Sequence, residues 1–172
     1  MRKAYLPAIA AALLAALPSV SSAAMPTLIW QGASAVRVQC LVGPGQDNAA
    51  RPLQQTLCDR VVKQAAIGSP LPVSTIGFGD PQVIAPGTVA LLVHGHIERD
   101  GDRRLLAFAI RPYRNSADQS SVLFGAPPRA ALLTAAGAPT PALDAAILAA
   151  LKETLPWRRG PVPTSFPLQQ KQ

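Results

Sequence analysis

The chain has 172 residues, which is enough for one domain with a hydrophobic core, and it shows no internal repeat and no sign of a second domain. Its 16 Lys and Arg residues against 9 Asp and Glu residues give a formal net charge of +7. A basic surface of this kind suits contact with anionic polymers as well as ordinary solubility. The scarcity of acidic residues argues against the paired carboxylates of a glycosidase.

The N-terminal segment has the pattern of an export signal. Two basic residues at positions 2–3 precede an apolar run over 6–17, and small residues follow it. We expect a signal peptide over residues 1–23, with cleavage after Ala23 or Ala24. The run is shorter than the roughly 20 residues of a membrane-spanning helix, and no cysteine directly follows it for lipid attachment. These features predict an exported protein whose mature form has no membrane span. The excess of Arg over Lys, 12 to 4, and the abundance of Ala are typical of a GC-rich bacterial genome, which predicts a periplasmic or secreted bacterial protein.

A strand and a helix are predicted in the first part of the mature chain. Residues 36–42 alternate apolar and polar side chains, which is typical of a half-buried strand. Apolar residues then recur every four positions from Leu53 to Ala65, which predicts an amphipathic helix. Pro52 suits the first turn of that helix, and the Gly-Ser-Pro sequence at 68–70 ends it.

The two cysteines are predicted to form a disulfide. Cys40 lies on the inward side of the predicted strand, and Cys58 lies at the edge of the inward stripe of the following helix. A strand and a helix that pack face to face bring such positions together, and an exported protein meets an oxidising environment. A redox pair and a pair of metal thiolates are the alternatives, although the spacing is far from Cys-x-x-Cys. We therefore expect a structural Cys40–Cys58 disulfide.

The strongest local pattern is a β-hairpin. Two long strands, residues 88–99 and 103–111, flank the Asp-Gly dipeptide at 100–101, which is preferred in two-residue turns. With that dipeptide as the turn, Glu98 faces Arg103 across the strands. One face of the hairpin is then apolar and carries Leu91, Val93, Gly95, Ile97, Leu106, Phe108 and Ile110. The other face is mixed and carries Ala90, Leu92, His94, His96, Glu98, Arg103, Leu105, Ala107, Ala109 and Arg111.

Short strands are predicted over 71–78 and 120–124, and residues 125–139 read as an irregular connection rich in Ala, Pro and Gly. A second amphipathic helix is predicted from Thr140, as N-cap, to residue 155. The basic, proline-rich segment 156–172 is predicted to be a disordered tail.

These elements together predict an α+β fold. We expect a two-layer sandwich over residues 34–155, in which a mostly antiparallel sheet of 4–5 strands has two helices packed on one face. In its element order this domain resembles the small N-terminal domains of envelope-assembly proteins such as TolB. The resemblance rests on topology and favours a binding module over an enzyme.

His94, His96 and Glu98 are the residues best placed for a metal site. Alternation along a strand puts all three on one face, and imidazoles at i and i+2 can share a metal. His94 and Glu98 are separated by about 13 Å along a strand, which is too far for one ion. A loop carboxylate, such as Asp80 or Asp118, is needed to complete the site. Two half-exposed histidines with no ligand are the alternative.

A cluster of arginines surrounds the hairpin and consists of Arg99, Arg103, Arg104, Arg111 and Arg114. A nucleic-acid surface requires aromatic side chains among such residues as stacking platforms, and only Phe108 and Tyr113 are near. We therefore expect no nucleic-acid partner. The arginines are either solvated strand ends or a docking surface for an acidic protein or an anionic envelope component.

The sequence leaves no evident catalytic set and no cofactor motif: it lacks a Gly-x-Ser-x-Gly elbow and a free Cys to pair with a His. It therefore predicts an exported, non-catalytic binding or envelope-assembly module that acts through protein or polymer contacts. The alternative is a metal-binding periplasmic protein or a hydrolase that uses His94 and His96.

Overall fold

The structure, a computed structural model, describes residues 27–43, 50–115 and 126–159. Four features of the sequence prediction lie outside the described residues. They are the signal peptide, the strand over 120–124, Asp118, and the tail from residue 160 onward.

A mixed sheet of five strands and two helices make up the described fold. In chain order the elements are β1 (Ala35–Val42), α1 (Ala50–Ala66), β2 (Val73–Thr75), β3 (Thr88–Asp100), β4 (Arg103–Tyr113), β5 (Arg129–Leu133) and α2 (Pro141–Thr154). Short 3-10 turns lie at Thr27–Trp30, Pro81–Ile84 and Pro156–Arg158. The strand order is β2-β1-β3-β4-β5.

The predicted α+β class is confirmed, and the sheet is mixed, with both parallel and antiparallel strand pairs. The strands β2 and β3 both pair with β1 in parallel, whereas β3, β4 and β5 form antiparallel pairs. The β1–β2 pair is parallel because α1 carries the chain back before β2 begins, since parallel neighbours require a crossover. The segment 76–87 carries the chain back a second time before β3 begins.

One hydrophobic core joins the sheet to both helices. Alternation on β1 buries Val36, Val38, Cys40 and Val42, and the apolar side of the hairpin belongs to the same cluster. The buried stripe of α1 and that of α2, which includes Leu143, Ile147 and Leu151, complete this cluster. We call the sheet surface that carries these side chains the core face.

Polar contacts tie the two helices together. The Arg60 guanidinium and the Asp144 carboxylate lie 2.7 Å apart, and Gln64 Nε2 donates to the Asp144 carbonyl over 3.1 Å. The indole of Trp157 donates to the Ala65 carbonyl at 2.9 Å and meets the Trp30 ring edge to face. Both tryptophans lie beyond the predicted domain limits of 34–155, so the packed unit extends past each limit.

The hairpin turn begins one residue later than predicted. Asp100 pairs with Arg103, so the turn starts at Gly101, and Glu98 faces Leu105 rather than Arg103. A type I′ turn over Asp-Gly needs a positive φ at both residues, but the positive φ in the described turn is at Gly101, +58°. Glycine at the first central position is typical of a type II′ turn. The register moves by two residues, so each side chain keeps its predicted face.

The strand β5 lies inside the segment predicted as an irregular connection. Its side chains alternate, with Ala131 and Leu133 buried and Ala130 and Leu132 exposed. The prediction failed here because alanine and leucine occupy both faces, so the sequence shows no polar alternation. After β5, Thr140 precedes α2 as predicted, but its hydroxyl donates to the Leu132 carbonyl at 2.7 Å rather than capping the helix.

Substitution of Gly87, with Gly68 as the comparison, tests the backbone that leads into β3. Gly87 and Gly68 both have a positive φ, +74° and +71°. A Cβ at Gly87 would lie 2.5 Å from the Ser34 hydroxyl, whereas one at Gly68 meets no atom within 4 Å. We expect Gly68→Ala to lower the free energy of unfolding by about 1–2 kcal/mol, and Gly87→Ala to lower it further, by up to about 3 kcal/mol. Equal losses in urea titrations would show that the Ser34 contact is unimportant.

Candidate functional site

The predicted disulfide is present. The Sγ atoms of Cys40 and Cys58 are 2.14 Å apart, and their Cα atoms are 5.8 Å apart. Both cysteines are buried and join β1 to α1 within the core. The bond therefore fixes packing, and it fits a protein that works in an oxidising compartment.

The sheet surface opposite the core face carries the predicted histidines. Cross-strand pairing arranges this surface in three rows, which are Leu41–His94–Ala109, His96–Ala107–Ala130 and Glu98–Leu105–Leu132. Two arginines of β4, Arg103 and Arg111, lie on the same side by alternation. We call these rows and the two arginines the open face.

The open face is apolar at its centre and accessible. Leu132 is 51% exposed and Leu41 is 41% exposed, and the alanines between them leave a shallow surface. The opposite end of the same sheet surface is covered, since Ala90 is fully buried. The chain after β2 is tied to this surface, where Gln39 Nε2 donates to the Gly77 carbonyl at 2.9 Å.

The structure brings two of the three proposed metal ligands near each other. The distance from His96 Nε2 to Glu98 Oε1 is 3.8 Å, and both side chains are more than half exposed. Asp80 does not join them, because its carboxylate accepts the Gln82 N–H at 2.8 Å and begins a 3-10 turn. In the part of the chain that the structure describes, no three His, Cys, Asp or Glu side chains are grouped to hold a metal ion.

A metal measurement tests the histidines directly. We expect elemental analysis of the purified protein to find no stoichiometric zinc or copper, since two exposed imidazoles bind a metal weakly without further ligands. Stoichiometric metal that disappears in the His94→Ala, His96→Ala double variant would contradict this expectation.

The five predicted partner-binding arginines do not form one cluster. Arg103 and Arg111 are exposed on the open face, whereas Arg99 and Arg104 face each other on the other side of the hairpin. Arg114 is used within the fold, where its guanidinium donates to the carbonyls of Ile29, at 3.1 Å, and Gln31. It therefore fixes the N-terminal 3-10 turn against the end of β4.

A cleft between α1 and the end of β2 was not found by sequence reasoning. It has a volume of about 380 Å³, and the disulfide forms part of its wall. One side is a polar stripe of α1 with Arg51, Gln54, Gln55 and Asp59, and the other is the segment 75–78 with Phe78 at its end. The helical spacing of the polar residues was the available signal, but only the packing of β2 against α1 creates the cleft.

Comparisons with protein-family models, with curated proteins and with solved structures gave no match to this chain. None of the described helices is long and apolar enough to cross a membrane. The surfaces of the chain itself therefore carry the functional inference.

Proposed function

We propose that this protein is an exported, non-catalytic binding module whose open face docks a partner protein. The observation that carries the proposal is the accessible open face, on which Leu41 of β1 and Leu132 of β5 are exposed at the two sides and small apolar side chains of β4 and β5 lie beside the histidines of β3. Exposed apolar side chains bordered by polar ones are typical of protein contact sites.

The small side chains at the centre suit close contact. Ala107, Ala109 and Ala130 lie between the leucines and allow the backbone of a partner to approach the sheet. The sheet is backed by the hydrophobic core, so the surface is rigid and loses little conformational entropy on binding.

The charges around the apolar centre favour an acidic partner. Arg103 and Arg111 are exposed at opposite ends of β4, and His94 and His96 lie between them on β3. Glu98 is the acidic side chain among the three rows. Complementary charge speeds association and selects among partners. The apolar centre favours a protein over a polyanionic envelope polymer, which would need an evenly basic surface.

The export part of the proposal is supported by two independent features. The basic, apolar and small-residue pattern over 1–23 is typical of a signal peptide. The Cys40–Cys58 disulfide suits the oxidising compartment to which such a signal leads.

A pair of aspartate substitutions tests the docking surface. Leu132→Asp places an unpaired charge at one exposed side of the proposed contact, and we expect it to weaken the complex at least about tenfold, or 1.4 kcal/mol. Ile67→Asp is the matched control, because Ile67 is 56% exposed and lies after α1, away from the open face. The measurement is the sedimentation of each tagged full chain in envelope extracts of its native host.

Three results decide the outcome. We expect the unchanged chain and Ile67→Asp to sediment as a complex, Leu132→Asp to sediment as a free chain, and the purified protein alone to be a monomer. A Leu132→Asp variant that stays in the complex contradicts the docking surface. A purified chain that dimerises through Leu132 shows that the occupant is a second copy instead.

A further inference from the structure

We propose that the cleft beside the disulfide is a binding site for a neutral carbohydrate. The cleft lies between α1 and the segment after β2, and none of the open-face residues lines it. Its volume of about 380 Å³ is within the range of small-ligand sites, roughly 300–1,000 Å³.

The helical side of the cleft offers polar groups that the fold does not use. Arg51, Gln55 and Asp59 lie on one face of α1 and make no hydrogen bond or ion pair within the described ranges. Gln54 is held in place, because its Oε1 accepts the Val42 N–H at 3.0 Å, which leaves its amide N–H groups for a ligand. This side therefore offers both donors and acceptors to a ligand.

The other side of the cleft presents an aromatic ring on a defined turn. Asp80 N–H donates to the Gly77 carbonyl at 3.3 Å, and Gly79 has a φ of +80°, which is typical of a type II turn. Phe78 occupies the first central position of this turn and is 81% exposed. The Gly77 carbonyl also accepts the Gln39 amide, so the turn is anchored to β1. The ring is therefore held outward.

This combination fits a sugar better than other ligands. Carboxylate, guanidinium and amide groups match the neighbouring hydroxyls of a pyranose, and an exposed aromatic ring stacks on its apolar C–H face. The positive charge of Arg51 and the negative charge of Asp59 cancel, so the site does not favour an anion. Strand addition by a peptide is disfavoured, since β2 has three residues and follows Pro72.

Binding of the purified full chain to an array of oligosaccharides that includes bacterial envelope glycans tests the proposal. We expect a subset to be retained, and calorimetry with the best of them should show affinity reduced at least about tenfold by Phe78→Ala and by Asp59→Asn. Ile84→Ala is the control, because Ile84 is half-exposed on the same connection but does not line the cleft.

Two outcomes would overturn the inference. The first is an array on which no oligosaccharide is retained. The second is a Phe78→Ala variant that binds the retained oligosaccharide as tightly as the unchanged chain. Neither outcome bears on the open face, so a failure of the carbohydrate site can be distinguished from a failure of the docking surface.

Discussion

Replacing Phe108 by alanine should lower the free energy of unfolding by about 3–5 kcal/mol, the range for deleting a large buried aromatic side chain. Phe108 is 2% exposed and belongs to the core that joins the sheet to both helices. It pairs with Gly95 on β3, which has no side chain to fill the space that the ring would leave. The free-energy cost of the remaining cavity should therefore add to the cost of the lost burial of the ring.

Phe78→Ala is the matched control for this substitution. The same side chain is deleted, but Phe78 is 81% exposed, so its loss should change stability by no more than about 0.5 kcal/mol. Urea unfolding followed by circular dichroism measures both variants. Equal stability losses would contradict the placement of the core between the sheet and the helices.

Loss of the disulfide is the second large effect. Cys58→Ser should lower the free energy of unfolding by about 2–4 kcal/mol, because the bond closes a loop between residues separated by 18 positions and restricts the unfolded chain. Urea titrations of the oxidised protein and of the variant give the difference. Thiol titration of the unfolded, unreduced protein should find no free thiol. Two reactive thiols per chain would contradict the assignment.

The same variant separates the disulfide from binding at the open face. Cys40 points from β1 into the core, whereas the open face lies on the other side of the sheet. Molecules that remain folded without the bond should therefore keep their docking affinity. A loss of docking in fully folded Cys58→Ser protein would show that the bond shapes the open face as well.

Periodicity was sufficient to predict the elements that have one buried side. The alternation at 36–42 and the four-residue repeat from Leu53 to Ala65 correspond to β1 and α1. The faces of the hairpin were predicted correctly, but its register was not, because turn dihedral angles decide which residue of Asp-Gly-Asp begins the turn. The strand β5 escaped prediction since its two faces are equally apolar in sequence.

The candidate sites were less predictable than the fold. Alternation alone placed the histidines on the correct face, and it also separates Arg103 and Arg111 from Arg99 and Arg104. The use of Arg114 as a donor to the N-terminal turn depends on a tertiary contact that no local pattern shows. The cleft is formed by a contact between α1 and β2. No local sequence pattern predicts that these two elements pack side by side. Surfaces made by tertiary contacts are visible only once the chain is folded.

Site-specific photo-crosslinking in the native host tests the docking surface most directly. A photoreactive amino acid is placed at Leu132 or Leu41 on the open face, and at Ile67 as the control on a separate exposed surface. We predict that both open-face positions give an adduct with the same exported protein, and that Ile67 gives none. Adducts from Ile67 with that protein, or none from Leu132 and Leu41, would contradict the account.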